Sequence, residues 1–314
     1  MKRGTFDVLR RGFDNTLANW PLIAIRVGET VVFLVCAFIA AIAIFAPILV
    51  SIGISIADLT SPDDIQNVLV AFARRWMLLL WIVLTIAVLL TVFVAVHAFV
   101  EAGSARVYVD GERIAGAEVM GFRSRFKVFS LARWLAGGRD GWWTLFWIYN
   151  IGWTIASAIL LVPLLPTAVV MFATHDAQPQ VALASGCLGL FVTLLLMLVV
   201  AVVTTICINR AIAHWAVRGS GAREALAAGW AAMRGDLGRL FLIAIALFVV
   251  SLAGSSFFGG LSFFAVFGTA FIDAPVGVLV TFPIRILSTI CSSIFSAAVS
   301  SWFLAAYASV EVEE

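Results

Sequence analysis

The stretch VLVAFARRW, Val68 to Trp76, ends an apolar segment on two arginines and leads straight into another long apolar run. Nearly the same stretch, VLVTFPIRI, returns at Val278 to Ile286, 210 positions later. Aligned at that offset, Val68–Glu101 and Val278–Glu311 are identical at 11 of 34 positions without a gap. The matches include Phe72/Phe282, Arg75/Arg285, Phe93/Phe303, Ala95/Ala305, Ala98/Ala308 and Glu101/Glu311. Shared apolar composition alone supplies far fewer. The two segments read as copies of one helix, each running from an outer-side arginine to an inner-side glutamate. The arginine then marks the water–lipid boundary, where its long side chain reaches for water.

Composition places these helices in a membrane. Of the 314 residues, 63% are apolar and 12% charged, about half the usual charged share. Several apolar runs exceed the roughly 18 residues that cross a bilayer core. A chain in lipid satisfies its backbone internally, which makes this an all-α integral membrane protein. A net charge of +2 gives no support for a nucleic-acid partner. Cys36, Cys187, Cys207 and Cys291 all lie in apolar runs, without CxxC or Cys/His spacing. They read as small buried hydrophobes, and neither a metal nor a cofactor is expected.

Six spans are expected, at about 22–50, 76–100, 143–172, 181–208, 240–258 and 286–310. Pro47, Pro163, Pro166 and Pro283 fall near span ends or at kinks, which membrane helices tolerate. The Gly-rich apolar segment 256–272 reads as a re-entrant or interfacial piece on the outer side. The first apolar run continues to about Val50, past the roughly 7–15 residues of a signal-peptide core. It reads as an uncleaved first helix.

The positive-inside rule orients the spans. Segments 1–20, 101–141 and 209–239 carry 4, 7 and 5 basic residues, against 2, 0 and 1 in 58–75, 173–180 and 259–285. Both termini are therefore expected in the cytoplasm and the protein in the inner (plasma) membrane. Trp20, Trp142, Trp143, Trp215 and Trp230 gather on the expected cytoplasmic side, where an aromatic belt sits. Trp76 marks the outer side.

A weaker echo extends the repeat. At offset 108, Gly111/Gly219, Ala117/Ala225 and Gly121-Phe122/Gly229-Trp230 coincide, and Gly12-Phe13 supplies the same pair near the N-terminus. Each pair lies in an amphipathic stretch. Phe6, Leu9, Phe13, Leu17 and Trp20 recur at helical spacing, as do Val119, Phe122, Phe126 and Phe129, and Leu226, Trp230, Met233, Leu237 and Leu240. Such helices lie in the interface, apolar face to lipid or to the bundle. The single membrane domain 1–314 is thus expected as three parallel repeats, about 1–101, 102–209 and 210–314. Each is an interfacial helix plus a transmembrane hairpin. The middle one carries an insertion around LARWLAGGRDGWW, 131–143.

Ionisable groups within spans are the default functional candidates. Arg26 and Glu29, in IRVGET, share a helix face and suit a lipid headgroup, a gate or a local ion pair. His97 and Glu101 lie four apart at the inner end of the second span. Tyr307 and Glu311 hold the equivalent places in the sixth, with Asn209 in the fourth. Together these suit a cytoplasmic vestibule or helix ends reaching water. Arg285 marks the outer boundary. Asn150, in WIYNIGW, suits a hydrogen bond across helices. His175-Asp176, in ATHDAQPQ, lacks the further ligands zinc needs and reads as a solvated turn. His214 belongs to a cytoplasmic extension of the fourth span. No Walker A, GxSxG or HExxH motif is present, so no catalytic residue is assigned.

The stretches RGDLGRLFLIAIAL and LANWPLIAIRVGE, with the basic interfacial helix and the hairpins, resemble the membrane domain attached to some glycerophosphodiester phosphodiesterases and related bacterial six-span families. The resemblance covers most of the chain. No catalytic phosphodiesterase domain lies within it, so it implies a membrane module or accessory rather than the activity. In topology alone the chain also resembles permease subunits of ATP-driven exporters, and REALAAGW, 223–230, resembles a permease coupling loop with its glycine displaced by one residue. The threefold repeat argues against the permease readings. The expected function is a non-enzymatic accessory or scaffold subunit acting through membrane lipids or other membrane subunits. A transporter or permease subunit is the alternative, with a lipid-acting membrane enzyme third.

Overall fold

The computed structural model describes residues 3–52, 76–116, 123–174, 179–269 and 274–313. Among them the chain is helical throughout. The elements are α1 (Thr5–Ala18), α2 (Pro21–Ile52), α3 (Trp76–Ala115), a 3₁₀ turn (Arg123–Phe126), α4 (Leu131–Thr174), α5 (Pro179–Arg218), α6 (Ala222–Gly235), α7 (Leu237–Thr269) and α8 (Ala274–Glu313).

Six of these helices are long and apolar enough to cross a membrane, and their apolar windows face outward. The α3 window has a mean hydropathy of 3.0 with none of it buried. In water that surface would be strongly unfavourable; in lipid it is the ordinary solvent-facing side. The fold is therefore that of a multi-pass helical membrane protein.

The helices are longer than the spans. α3 has 40 residues and α4 has 44, about 60 Å or more at 1.5 Å per residue, twice a bilayer core. The surplus of α3 is EAGSARVYVDGERIA, 101–115. It is charged but holds no proline, and its two internal glycines, Gly103 and Gly111, sit where a Cβ would meet Trp134 and Asn15, so the helix continues to Gly116. There the backbone turns left-handed at φ 73°, and the Gly116 N–H donates to the Glu112 carbonyl. Gly219, at φ 70°, stops α5 in the same way, its N–H donating to Trp215. Such positions favour glycine, which has no Cβ to clash.

Two compact units are distinct. One comprises Arg26–His97, and the other comprises residues 1–25 and 98–314. In the first, Phe33 and Phe93 lie 3.9 Å apart between ring centres, and the Trp81 indole donates to the Ala43 carbonyl at 3.4 Å. In the second, α4 runs antiparallel along α5 and α7 along α8, and α1 lies across α8. Its core gathers at the basic end of the helices, around Tyr108, Leu145, Ile148 and Ile212. A neighbouring cluster includes Val8, Ile243, Leu247 and Tyr307.

Glycines permit the close crossings. LARWLAGGRDGWW is helical and opens α4, packed on the extension of α3. A Cβ on Gly138 would fall 2.7 Å from the Phe99 ring, and one on Gly141 would run into Trp215. Small residues at such contacts let helix backbones approach.

Several expectations change. The part of 256–272 within α7 is ordinary helix, continuous with the fifth span to Thr269, so it is not a separate re-entrant piece there. Glycine does not break a helix in lipid as readily as in water. Residues 123–129 form a 3₁₀ turn and irregular chain, not an amphipathic α-helix, and 117–122, with Val119 and the Gly121-Phe122 pair, lie outside the described residues. The third stripe is split: α6 ends at Gly235, and Leu237 and Leu240 belong to α7. Gly111 lies inside α3, whereas Gly219 caps α5. Trp215 is buried rather than belted; the Arg106 guanidinium sits 5.2 Å from its ring centre. The side chain of Trp76 is not among those described.

Candidate functional site

The sequence places an apolar stripe on α1, but the helix buries its other face. Phe6, Phe13 and Trp20 are exposed, while Arg11, Asn15, Thr16 and Asn19 are buried. The stripe is divided: Leu9 packs on the core beside Val8, and the Phe13 ring lies 5.0 Å from that of Trp302, while Phe6 and Trp20 stay outward. The polar face is matched bond by bond, as burial of polar groups requires.

Glu112, on the α3 extension, is the centre of one charge cluster. Arg11 donates to its Oε2 from Nε at 3.1 Å and from Nη2 at 2.8 Å, and the same Nη2 donates to the Gly116 carbonyl. Arg3 adds a longer contact to Glu112 at 3.3 Å. Arg3 also donates to the Ser309 hydroxyl at 3.0 Å and, through its backbone N–H, to Glu313. It thereby joins the start of α1 to the end of α8. Asn19 acts as a clamp. Its amide donates to the Phe126 carbonyl at 2.8 Å, and its Oδ1 accepts from the backbone N–H of Val128 and Phe129. That satisfies a non-helical segment with no secondary-structure partner of its own.

Glu311 is the centre of the second cluster. Arg210 lies 2.9 Å from one oxygen and His214 Nδ1 2.8 Å from the other. Arg239 pairs with Glu313 at 2.8 Å and, at 3.6 Å, with Asp236.

Placed on this geometry, the candidates separate. Glu29 pairs with His97 at 2.7 Å, joining α2 to α3. Arg26 and Glu101 are both buried. Tyr307 does not face Glu311; its hydroxyl donates to the Leu240 carbonyl at 3.2 Å. Asn209 donates to the Thr205 carbonyl and Asn150 to the Phe146 carbonyl, each one turn back on its own helix. The expected cross-helix bond from Asn150 is therefore replaced by an intrahelical one, the usual competitor for such side chains. Arg285 is exposed and lies within α8 rather than at its start. Arg75 and the His175-Asp176 pair lie outside the described residues. Glu101, Tyr307 and Glu311 are all buried. His214 does lie on the extension of the fourth span.

The concave feature lies elsewhere, among α4, α5 and α6. A cavity of about 650 Å³ is walled by Ile151, Ile155 and Ile159 of α4, by Val199 and Val203 of α5, and by Leu226, Ala227 and Trp230 of α6. Arg223 is the charged side chain on its lining. A second cavity, about 630 Å³, adjoins it at Ile151 and Arg223 and adds Trp147 and Glu224. Sequence reading missed this site, although Arg223, Leu226, Ala227 and Trp230 follow the i, i+3, i+4, i+7 spacing of one helix face. Among the described residues no group of three or more His, Cys, Asp or Glu side chains is placed to hold a metal ion.

Comparison with protein-family models, curated proteins and solved structures gives no match. The class, a multi-pass helical membrane protein, rests on the six apolar helices.

Proposed function

We propose that the chain is a non-enzymatic protein of the bacterial inner (plasma) membrane, with both termini cytoplasmic. It acts as an accessory or scaffold module through contacts with lipids and with other membrane subunits, as its resemblance to the phosphodiesterase-linked membrane domains implies. One observation carries this reading. Buried charges at the basic end are engaged with one another, as in Arg11–Glu112 and Arg210–Glu311, while the cavity between the helices is lined almost wholly by apolar side chains. A buried ion pair with its partners in place is a structural joint. An apolar cavity at span depth suits an acyl chain.

The threefold repeat is part of the proposal. Supporting it, the equivalent pairs Ala98/Ala308, Val100/Val310 and Glu101/Glu311 are all buried. The Gly12-Phe13 and Gly229-Trp230 pairs also share a device. Each glycine abuts a neighbouring helix, with contacts a Cβ would bring to 2.8 Å at Ala306 and 2.7 Å at the Cys207 carbonyl, and each aromatic side chain is partly exposed.

The test is a mild-detergent pull-down of the tagged chain from its native membrane, read by mass spectrometry. A stoichiometric membrane partner without an ATPase is expected. A co-purifying ATPase would replace this reading with the permease one.

A further inference from the structure

We propose that the paired cavities among α4, α5 and α6 bind one phospholipid whose headgroup carries a phosphate and a primary ammonium, with Arg223 on the phosphate and Glu224 on the ammonium. This rests on the lipid-contact reading above and names the lipid class. The larger cavity supplies the place for an acyl chain. Its volume, about 650 Å³, falls within the roughly 300–1,000 Å³ of ligand sites. Ile151 to Ile159 covers nine residues of α4, about 12 Å along the helix axis from first to last. That wall leads from the apolar span toward the basic end.

The smaller cavity supplies the headgroup site. It is continuous with the first at Arg223 and contains one cation and one anion, Arg223 and Glu224. Neither forms an ion pair with another described residue. Both line the cavity and are exposed, so their charges are open to a ligand instead of being spent in the charge clusters. Arginine presents a fixed fork of donors that suits phosphate. The Glu224 carboxylate accepts hydrogen bonds from an ammonium, which a quaternary choline cannot give, and it repels a headgroup of net negative charge. Trp147 and Trp230, one in each lining, are the amphipathic rings expected at headgroup depth.

The purified full-length chain, equilibrated in nanodiscs of equal dioleoylphosphatidylethanolamine, dioleoylphosphatidylglycerol and dioleoylphosphatidylcholine, is released for native mass spectrometry. Phosphatidylethanolamine should be the retained lipid, about fivefold over each of the others, the effect of roughly one charge at the membrane surface. Glu224→Gln should abolish the preference over phosphatidylglycerol but keep a lipid bound. Arg223→Gln should lower retention of all three. Ala227→Trp, at an exposed position of α6, should block the chain site and remove one lipid regardless of headgroup. Retention unchanged in all three variants, or preference for phosphatidylglycerol in the native chain, overturns the proposal. If a variant fails to stay monodisperse, phosphatidylethanolamine with a photoreactive acyl chain decides on the native protein. Labelling within 151–159, 199–208 and 223–230 supports the site, and labelling confined elsewhere overturns it. These readouts need no partner chain, so their failure leaves the pull-down result standing, and a co-purifying ATPase would leave this site standing.

Discussion

Arg11 and Glu112 show how this chain handles charge. Each side chain is almost wholly enclosed, 2% and 0% exposed, with 2.8 Å between Nη2 and Oε2. Breaking such a pair on one side strands the other charge and costs roughly 3–5 kcal/mol, whereas replacing both partners with apolar groups is often neutral. Glu112→Leu should therefore lower the unfolding midpoint in detergent sharply, and Arg11→Leu/Glu112→Leu should recover much of the loss. A double variant as unstable as the sum of the singles would mean that the pair is not coupled. Almost none of this was legible in the sequence. Glu112 and Arg11 stand 101 positions apart, and neither falls in an apolar run that would mark it. The candidates chosen for lying in spans, Asn150 and Asn209, turned instead to carbonyls of their own helices. Spacing along one helix identifies neighbours on that helix; it does not identify the partner across the bundle.

At the scale of elements, the apolar runs were readable because lipid demands about 20 apolar residues per crossing. Their continuation was not. Charged residues of good helix propensity look like loop until a stop such as Gly116 is recognised. The short helices α1 and α6 dock through single glycines, Gly12 on Ala306 and Gly229 on the Cys207 carbonyl. A side chain there meets backbone, which cannot swing aside. Gly12→Val and Gly229→Val should each destabilise the protein by about 1–3 kcal/mol, the usual penalty for overpacking. Gly28→Ala is the matched control, since nothing lies within 4 Å of its would-be Cβ. It should leave the midpoint unchanged or raise it. Equal loss in all three would show that the effect belongs to glycine replacement in general and not to docking.

At the scale of the whole molecule, the apolar windows face outward along the spans, and the packed core of residues 1–25 and 98–314 lies at the basic end. Lipid supplies the apolar environment that a core supplies in a water-soluble protein. The ion pairs and glycine contacts hold the helices together at the basic end. We propose that this basic, ion-paired end lies in the cytoplasm and that the six apolar helices each cross the membrane. Single cysteines at Asp176 and at Gly221, in a background where Cys36, Cys187, Cys207 and Cys291 are replaced by alanine, test it directly. A membrane-impermeant maleimide added to intact spheroplasts should label Asp176→Cys at once and Gly221→Cys only after the membrane is opened. Labelling of Gly221→Cys in intact spheroplasts, with Asp176→Cys protected, would contradict the claim.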